Sequence, residues 1–284
     1  MSELIRLDVG GRPLDIEYAF VGPQADAAPW LVFLHEGLGS LSMWRDFPQQ
    51  LCEACGHRGL VYSRPGYGRS TPRPQGERWG VDFMHVQAQQ LLPALLQALG
   101  APPRYALFGH SDGGSIALIH EASQPQRVSH TVVLAPHILV EDLSVTSIAS
   151  TRETYLRGGL ESDLRRRLAR HHADVDSAFW GWNDIWLDPE FRRWHLGDLL
   201  PALRGPLLAI QGEDDEYGTM AQIDGIAAAL PAGSCELLKL PACGHSPHRD
   251  QPQAVINATA ELLAGDADMT SLAPLAATAD PGKS

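Results

Sequence analysis

Short apolar runs that alternate with helical segments are the feature that most restricts the folds open to this chain. Five largely apolar runs suit strands that are covered on both faces of a parallel sheet. They span residues 30–35, 59–63, 105–109, 128–135 and 207–211. Helical periodicity lies between them, at residues 42–55, 80–99, 113–123 and 219–230. This alternation predicts an α/β fold with a doubly wound, mostly parallel sheet and right-handed crossovers.

Two segments depart from this alternation. Residues 4–9 and 14–21 alternate apolar and polar side chains around a Gly-Gly pair, which predicts an N-terminal antiparallel hairpin. Residues 137–204 carry helical patterns without a convincing strand and are too long for a plain loop. We therefore predict an α/β core of residues 1–136 and 205–266 that carries a helical cap insertion at residues 137–204.

Composition and charge restrict the binding partners and the cellular compartment that we expect for this protein. The net charge is −12 and the isoelectric point is near 5.4, so nucleic acid and anionic membrane surfaces are poor partners. No apolar run approaches the ~20 residues that span a bilayer. The first residues show no basic segment followed by an apolar one, as a secretory leader would. The 4 cysteines favour a reducing compartment. We expect a cytoplasmic protein, of unknown oligomeric state, that binds neither membranes nor nucleic acid. The composition of residues 267–284 predicts a flexible C-terminal tail.

The sequence Gly-His-Ser-Asp-Gly at residues 109–113 carries the clearest chemical signal. It fits the G-x-S-x-G pattern, and it has an apolar strand before it and a helix after it. In that setting the serine lies on a strained turn, where glycines two residues before and after it avoid clashes. We predict that Ser111 is a nucleophile at the N-terminus of a helix, where the helix dipole favours negative charge.

Two later segments offer a base and an acid for this serine. Residues 207–217 (LLAIQGEDDEY) begin as an apolar strand, which a glycine closes and three acidic residues follow. Residues 240–252 (LPACGHSPHRDQP) contain the sequence Gly-His-x-Pro. The order serine, acid, histidine is that of the α/β-hydrolase fold. Over about residues 4–264 the chain resembles the α/β-hydrolase superfamily, of the serine hydrolase and esterase type.

This resemblance implies a Ser-His-Asp triad. The acid usually stands three residues after the glycine that closes the strand, which makes it Asp215, with Asp214 the second candidate and Glu213 the third. His245 matches the family histidine. His248 is a rival that we expect to be a solvated residue at a helix start.

The resemblance also implies an oxyanion hole of two backbone amides. One amide is that of Asp112, the residue after the nucleophile, and the other is that of Gly37, or of Leu38 if the turn is shifted by one residue. Glu36 stands where the family commonly has glycine. We expect its carboxylate to turn away from the hole and to pair with Arg64, either to clamp two loops together or to recognise substrate.

These residues predict a serine hydrolase that cleaves a small carboxylic ester, or else a thioester or lactone, through an acyl-serine intermediate. Carbon–carbon bond hydrolases of aromatic degradation are an alternative, disfavoured because His110 and Ser246 replace residues typical of them. A non-catalytic, small-molecule-binding relative is the other alternative. Enzymes of this fold that use an aspartate nucleophile are excluded by Ser111.

The substrate is expected to be a small molecule with an apolar acyl or aryl group. Trp180 and Trp186 are candidates for lining its pocket, although the tryptophans of residues 137–204 also suit simple packing of the insertion on the core. No metal or organic cofactor is expected, since Cys52 and Cys55 lie within a predicted helix without a second Cys or His pair. Residues 171–172, both histidine, are expected on a solvated helix face.

Overall fold

A central sheet organises the computed structural model, which describes residues 2–25, 27–157 and 162–265. Within these residues the sheet has 8 strands in the order β1-β2-β4-β3-β5-β6-β7-β8. The strands are β1 (Glu3–Val9), β2 (Arg12–Val21), β3 (Trp30–Leu34), β4 (Arg58–Tyr62), β5 (Tyr105–His110), β6 (Val128–Leu134), β7 (Leu207–Gly212) and β8 (Cys235–Leu240). Strand β2 is antiparallel to β1 and β4, and every later pairing is parallel. The predicted fold class and its N-terminal hairpin are confirmed.

Helices cover both faces of the sheet, as a parallel sheet requires. One face packs against α1 (Phe47–Cys55) and α10 (Pro252–Ala264). The other face packs against helices that include α2 (Phe83–Val86), α3 (Leu92–Ala98), α4 (Asp112–Ser123) and α8 (Ala221–Ala229). Strand β3 shows how its residues serve both faces, because Leu31 and Phe33 belong to the first core and Val32 and Leu34 to the second.

Between β6 and β7 the described chain is helical. It contains α5 (Asp142–Leu156), α6 (Asp163–Leu168) and α7 (Val175–Trp186), followed by a short 3₁₀ turn at Phe191–Arg193. Helix α7 buries Phe179, Trp182 and Trp186 against the core. The division into core and cap stays a prediction, and the predicted tail at residues 267–284 lies outside the described residues.

The carboxyl ends of the strands define the edge at which the site forms. Short helix α9 (Pro247–Asp250) follows β8 there, and Ser111 follows β5. In open parallel sheets ligands bind at this edge. In the part of the chain that the structure describes, we find no helix that is both long enough and apolar enough to cross a bilayer.

A buried carboxylate holds in place the segment that leads back into the sheet just before β7. Glu121 of α4 is fully buried. It accepts hydrogen bonds from the Thr131 hydroxyl at 2.6 Å and from the backbone amides of Arg204 and Gly205 at 3.0 and 2.8 Å. One side chain therefore joins α4, β6 and the end of the segment between β6 and β7.

We predict that Glu121→Ala lowers the free energy of unfolding by about 3 kcal/mol, because one buried and two partly buried donors lose their acceptor. Glu121→Gln keeps one carbonyl oxygen and should lose less. Urea unfolding followed by circular dichroism measures both. The control is Glu153→Ala at an exposed position of α5, expected within about 0.5 kcal/mol of wild type. Equal stability of Glu121→Ala and this control would contradict the prediction.

Candidate active site

Ser111 lies on a strained turn between β5 and α4. Its backbone has φ 54° and ψ −121°, a conformation that a non-glycine residue adopts only when its surroundings impose it. The flanking glycines allow the close approach: a Cβ at Gly109 would collide with the Gly113 carbonyl, and one at Gly113 would collide with the Leu34 carbonyl. The turn therefore holds the serine hydroxyl at the sheet edge.

The structure brings Ser111, His245 and Asp215 into one hydrogen-bonded chain. The distance from Ser111 Oγ to His245 Nε2 is 2.9 Å. His245 Nδ1 lies 2.8 Å from Asp215 Oδ1 and 3.0 Å from Oδ2. Ser111, His245 and Asp215 follow β5, β8 and β7, so strand ends at one edge of the sheet bring them together from distant parts of the sequence. This arrangement suits a histidine that takes a proton from the serine while the carboxylate orients its ring.

Asp215 is held as an anion by several donors. The amides of Tyr217 and Gly218 donate to Oδ1 at 2.8 and 3.2 Å, and Gln211 Nε2 donates to Oδ2 at 3.2 Å. Burial alone would raise the pKa of this carboxyl, but the hydrogen bonds from His245 and Tyr217 and the charge of His245 hold the pKa below its usual value. Asp214 and Glu213, the other sequence candidates, are exposed.

The peptide between Glu36 and Gly37 is fixed by two donors. Arg64 Nη2 and His35 Nδ1 lie 2.8 and 2.7 Å from the Glu36 carbonyl oxygen. In a trans peptide the following N–H points away from the carbonyl. The amide of Gly37, one of the two candidate oxyanion donors, is therefore turned away from Arg64.

Arg64 also pairs with Asp112, the residue after the nucleophile. Arg64 Nη2 lies 3.6 Å from Asp112 Oδ2, with the two side chains 0% and 1% exposed. The indole N–H of Trp186 donates to Asp112 Oδ1 at 3.1 Å. Burial raises the pKa of Asp112, an effect that Arg64 and Trp186 partly offset. The guanidinium thus contacts the two segments that supply both candidate oxyanion donors.

The carboxylate of Glu36 does not meet Arg64, contrary to the pairing expected from the sequence. Its oxygens lie 3.6 Å from His110 Nδ1 and 3.5 Å from Arg249 Nη2. Burial would raise the pKa of Glu36, but its interactions with His110 and Arg249 hold the pKa well below its usual value. Arg64 pairs with Asp112 instead. Gly39 leaves room for the Glu36 side chain, because a Cβ at Gly39 would collide with Glu36 Oε2.

The tryptophans of α7 differ in their relation to the site. Trp182, which the sequence did not single out for the site, packs on Gly37 so closely that a Cβ at Gly37 would collide with the indole. Trp186 contacts Asp112 and lies four residues later, on the same face of the helix. Trp180 packs instead against Tyr155, Phe179 and the guanidinium of Arg152. The four-residue spacing was the available sequence signal for Trp182.

His137 is a further residue of the site that sequence reasoning missed. Its ring centroid lies 5.8 Å from that of His245 and 4.8 Å from that of Trp186. Burial, together with the positive charge that His245 can carry, lowers the pKa of His137 to about 3, so its imidazole is neutral. The available signal was its place just after β6, at the same sheet edge as Ser111.

Two predictions of solvated histidines are wrong. His248 is 3% exposed and packs against Trp44 and His110 at centroid distances of 4.9 and 4.8 Å. His172 is 4% exposed, accepts a hydrogen bond from the Gly68 amide and donates to the Leu38 carbonyl, each at 3.0 Å. The packing partners of each lie far away along the chain, so local patterns do not reveal the burial.

Neither cysteine of the early pair joins the site. Cys52 is buried and Cys55 partly buried, both on α1, and both are free thiols. Within residues 2–25, 27–157 and 162–265, no group of three or more His, Cys, Asp or Glu side chains is arranged to hold a metal ion.

Solved structures share this architecture. A thermophilic esterase from Thermogutta terrifontis matches with a TM-score of 0.70 at 20% sequence identity, over 92% of this chain and 98% of that chain. The fold is that of the α/β hydrolases.

Sequence comparison places the chain in a family. A profile of the alpha/beta hydrolase family matches residues 31–258, and the chain belongs to this family. It is 24% identical to the sn-1-specific diacylglycerol lipase ABHD11 of Mus musculus, over 89% of this chain and 86% of that one. It is 28% identical to a 2-succinyl-6-hydroxy-2,4-cyclohexadiene-1-carboxylate synthase of Enterobacter sp. (strain 638), over 83% of this chain and 92% of that one.

We predict that His137 makes the folded protein less stable as the pH falls below about 6.5. An unfolded histidine binds a proton near that pH, whereas His137 in the folded protein stays neutral down to a pKa of about 3. The unfolded state therefore binds more protons in this window, and stability decreases with falling pH. In His137→Gln this contribution disappears, so between pH 7.5 and pH 5 wild type should lose about 2 kcal/mol more than the variant.

Urea unfolding at both pH values measures the difference. His137→Phe, which also lacks a titrating group, should show the same reduced pH dependence. An unchanged pH dependence in both variants would contradict the assigned protonation state.

Proposed function

We propose that the protein is a serine hydrolase that cleaves a small carboxylic ester, thioester or lactone. The observation that carries the proposal is the continuous chain from Ser111 Oγ through His245 to Asp215, with contacts of 2.9 and 2.8 Å. A weak hydroxyl nucleophile needs an adjacent base and a group that orients that base. The names of the relatives, which include a lipase and an esterase, also support ester hydrolysis.

In the first half-reaction, Ser111 Oγ attacks the substrate carbonyl carbon while His245 Nε2 takes the hydroxyl proton. The tetrahedral intermediate carries a negative charge on the former carbonyl oxygen. His245 then gives its proton to the departing alcohol or thiol as the bond between the carbonyl carbon and the leaving atom breaks. The acyl group remains on Ser111.

In the second half-reaction, water attacks the acyl carbon and gives a proton to His245. The bond between the acyl carbon and Ser111 Oγ breaks, and His245 returns the proton to that oxygen. The products are a carboxylic acid and an alcohol or thiol, which for a lactone are the two ends of one hydroxy acid. Asp215 stays ionised throughout and stabilises the imidazolium, a role that its lowered pKa supports.

The amides of Gly37 and Asp112 are the proposed oxyanion donors, and Arg64 is the proposed positioning residue for both. Arg64 holds the carbonyl of the peptide that contains the Gly37 amide, and it pairs with the side chain of Asp112. Donors that are fixed before the reaction stabilise the developing charge without reorganisation. The acyl group is proposed to lie beside Trp182 and Trp186, with His137 as a neutral hydrogen-bonding group.

We predict that a fluorophosphonate labels Ser111 and that Ser111→Ala abolishes both labelling and hydrolysis of 4-nitrophenyl acetate, because the nucleophile is lost. Peptide mapping locates the adduct and absorbance measures the hydrolysis. The control is Ser150→Ala at an exposed serine of α5, which should behave as wild type. A folded wild-type protein that neither reacts with the probe nor cleaves esters would refute the proposal and would favour a binding role.

We predict that Arg64→Lys and Asp112→Asn lower kcat for 4-nitrophenyl acetate by roughly 10- to 100-fold with little change in KM, because the oxyanion donors lose their fixed orientation. A boronate that mimics the tetrahedral intermediate should bind more weakly by a similar factor. Arg58→Lys, at the other end of β4, is the matched control. If the variants are folded and boronate affinity is unchanged, Arg64 has only a structural role.

A further inference from the structure

A cleft lined by arginines opens beside the site, and none of the proposed chemistry uses it. The basic cleft is defined by Arg45, Arg167, Arg170, His171 and Arg249, and its volume is about 330 Å³. It lies between α6 and the chain around the 3₁₀ turn Leu41–Trp44. The whole chain has a net charge of −12, so this local excess of positive charge opposes the overall balance.

Much of this charge is not neutralised by neighbouring acids. In the described residues the nearby Arg165 and Arg166 pair with Asp176 and Asp163. Arg45, Arg167 and Arg170, in contrast, are exposed and have no carboxylate within 4.0 Å among the residues that the structure describes. These three guanidinium groups are available to an anion.

The positive charges of the cleft affect the pKa of His171. Partial burial and then the charges of Arg249, Arg45 and Arg170 lower the pKa of His171, against a smaller opposing effect of Glu36. Acids near the cleft include Asp46, which lines the neighbouring cavity with Arg45 and accepts a hydrogen bond from Gln50 Nε2 at 2.6 Å. Glu36 lies against Arg249, and Asp163 shares a second cleft of about 460 Å³ with Arg166, Arg167 and Arg170.

A neighbouring cavity is lined by buried polar groups without partners. This cavity, of about 190 Å³, shares Arg45 and Arg249 with the basic cleft and is also lined by Trp44, Asp46 and His248. The side chains of Trp44 and His248 are each 3% exposed. Trp44 Nε1 and both ring nitrogens of His248 have no hydrogen-bond partner in the described part of the chain. A buried donor without a partner is costly, and a ligand with acceptor oxygens would satisfy it.

The cleft and this neighbouring cavity adjoin residues next to the proposed catalytic site. Arg249 contacts the carboxylate of Glu36, which directly precedes Gly37. The ring of His248 lies 4.8 Å from that of His110, which directly precedes Ser111. Arg249, which lines the basic cleft, and His248, which lines the neighbouring cavity, therefore contact the residues that directly precede Gly37 and Ser111.

We propose that the basic cleft binds phosphate groups carried by the alcohol or thiol half of the substrate, so that the substrate is an acyl ester or thioester of a phosphorylated leaving group. Guanidinium groups match phosphate oxygens in bidentate geometry. The inference rests on the proposed function and adds no chemical step: His245 protonates the departing oxygen or sulfur, and the phosphorylated alcohol or thiol leaves. A concave cleft of about 330 Å³ in an acidic protein suits a single phosphorylated molecule better than the flat surface of a lipid bilayer.

The test compares three substrates with the same acyl group and the same thioester bond. They are S-acetylpantetheine, its 4′-phosphate and acetyl-coenzyme A. Wild type should cleave at least one phosphorylated thioester with kcat/KM at least 10-fold above that for S-acetylpantetheine, and added salt should reduce this ratio. In the triple variant Arg45→Gln, Arg167→Gln and Arg170→Gln the ratio should fall towards one. The control variant Arg152→Gln, on α5 outside the cleft, should keep the wild-type ratio.

Calorimetry with inorganic pyrophosphate gives a readout that does not depend on turnover. Binding should be detected for wild type and for Ser111→Ala and should be lost in the triple variant. Absence of pyrophosphate binding at millimolar concentration would overturn the inference. So would a ratio near one in a protein that reacts with fluorophosphonate, which would leave the proposed function intact.

Two further outcomes separate the remaining explanations. Arginine-dependent binding to phosphatidylglycerol vesicles, without any effect of phosphate on thioester cleavage, would assign the cleft to a membrane surface and overturn the inference. If fluorophosphonate does not react and no ester is cleaved, the proposed function itself fails. The assignment of the cleft to a substrate then fails with it, even if pyrophosphate binds.

Discussion

The buried ion pair between Arg64 and Asp112 joins the segments from which the site is built. Arg64 holds the carbonyl of Glu36 on the loop after β3, and Asp112 begins α4 and accepts a hydrogen bond from Trp186 of α7. Both charges are removed from water, which costs several kcal/mol per ion unless partners compensate. The pair therefore depends on four segments: the loops after β3 and β4, the start of α4, and α7. Its arrangement explains why a glutamate next to a proposed oxyanion donor is tolerated: the carboxylate of Glu36 turns to His110 and Arg249 instead.

Much of the fold was accessible from the sequence because its signals are local. Apolar strands alternating with helices specify a doubly wound sheet, and the glycines around Ser111 mark a turn that other residues would not fit. The carboxyl ends of parallel strands share one edge, so the position of Asp215 after β7 and of His245 after β8 was already implied. The N-terminal hairpin followed from a local pattern as well, whereas the order of the strands in the sheet was not predicted.

The surroundings of the proposed triad were not accessible, because they depend on contacts between distant segments. His137 is 108 residues from His245 in the sequence, yet their rings lie 5.8 Å apart. His172 bonds to Gly68, and His248 packs on Trp44. Periodicity within one helix cannot distinguish a solvated histidine from one that another segment covers. The partner of Glu36 was missed for the same reason. The sequence offers both Arg64 and Arg249 as cations for this carboxylate, and only the packing of distant segments shows that Arg249 contacts it.

The position of Trp182 over Gly37 has a consequence for how a substrate would enter the site. Ser111 is only 6% exposed, so the arrangement described here is a closed one. In the proposed hydrolase a bulky substrate would have to displace this indole, and its apparent affinity would then be weaker than its intrinsic affinity by the fraction of molecules in which the indole has moved aside. Selection among substrates would then operate at entry, through the size that the opening admits, before any contact with the nucleophile is made.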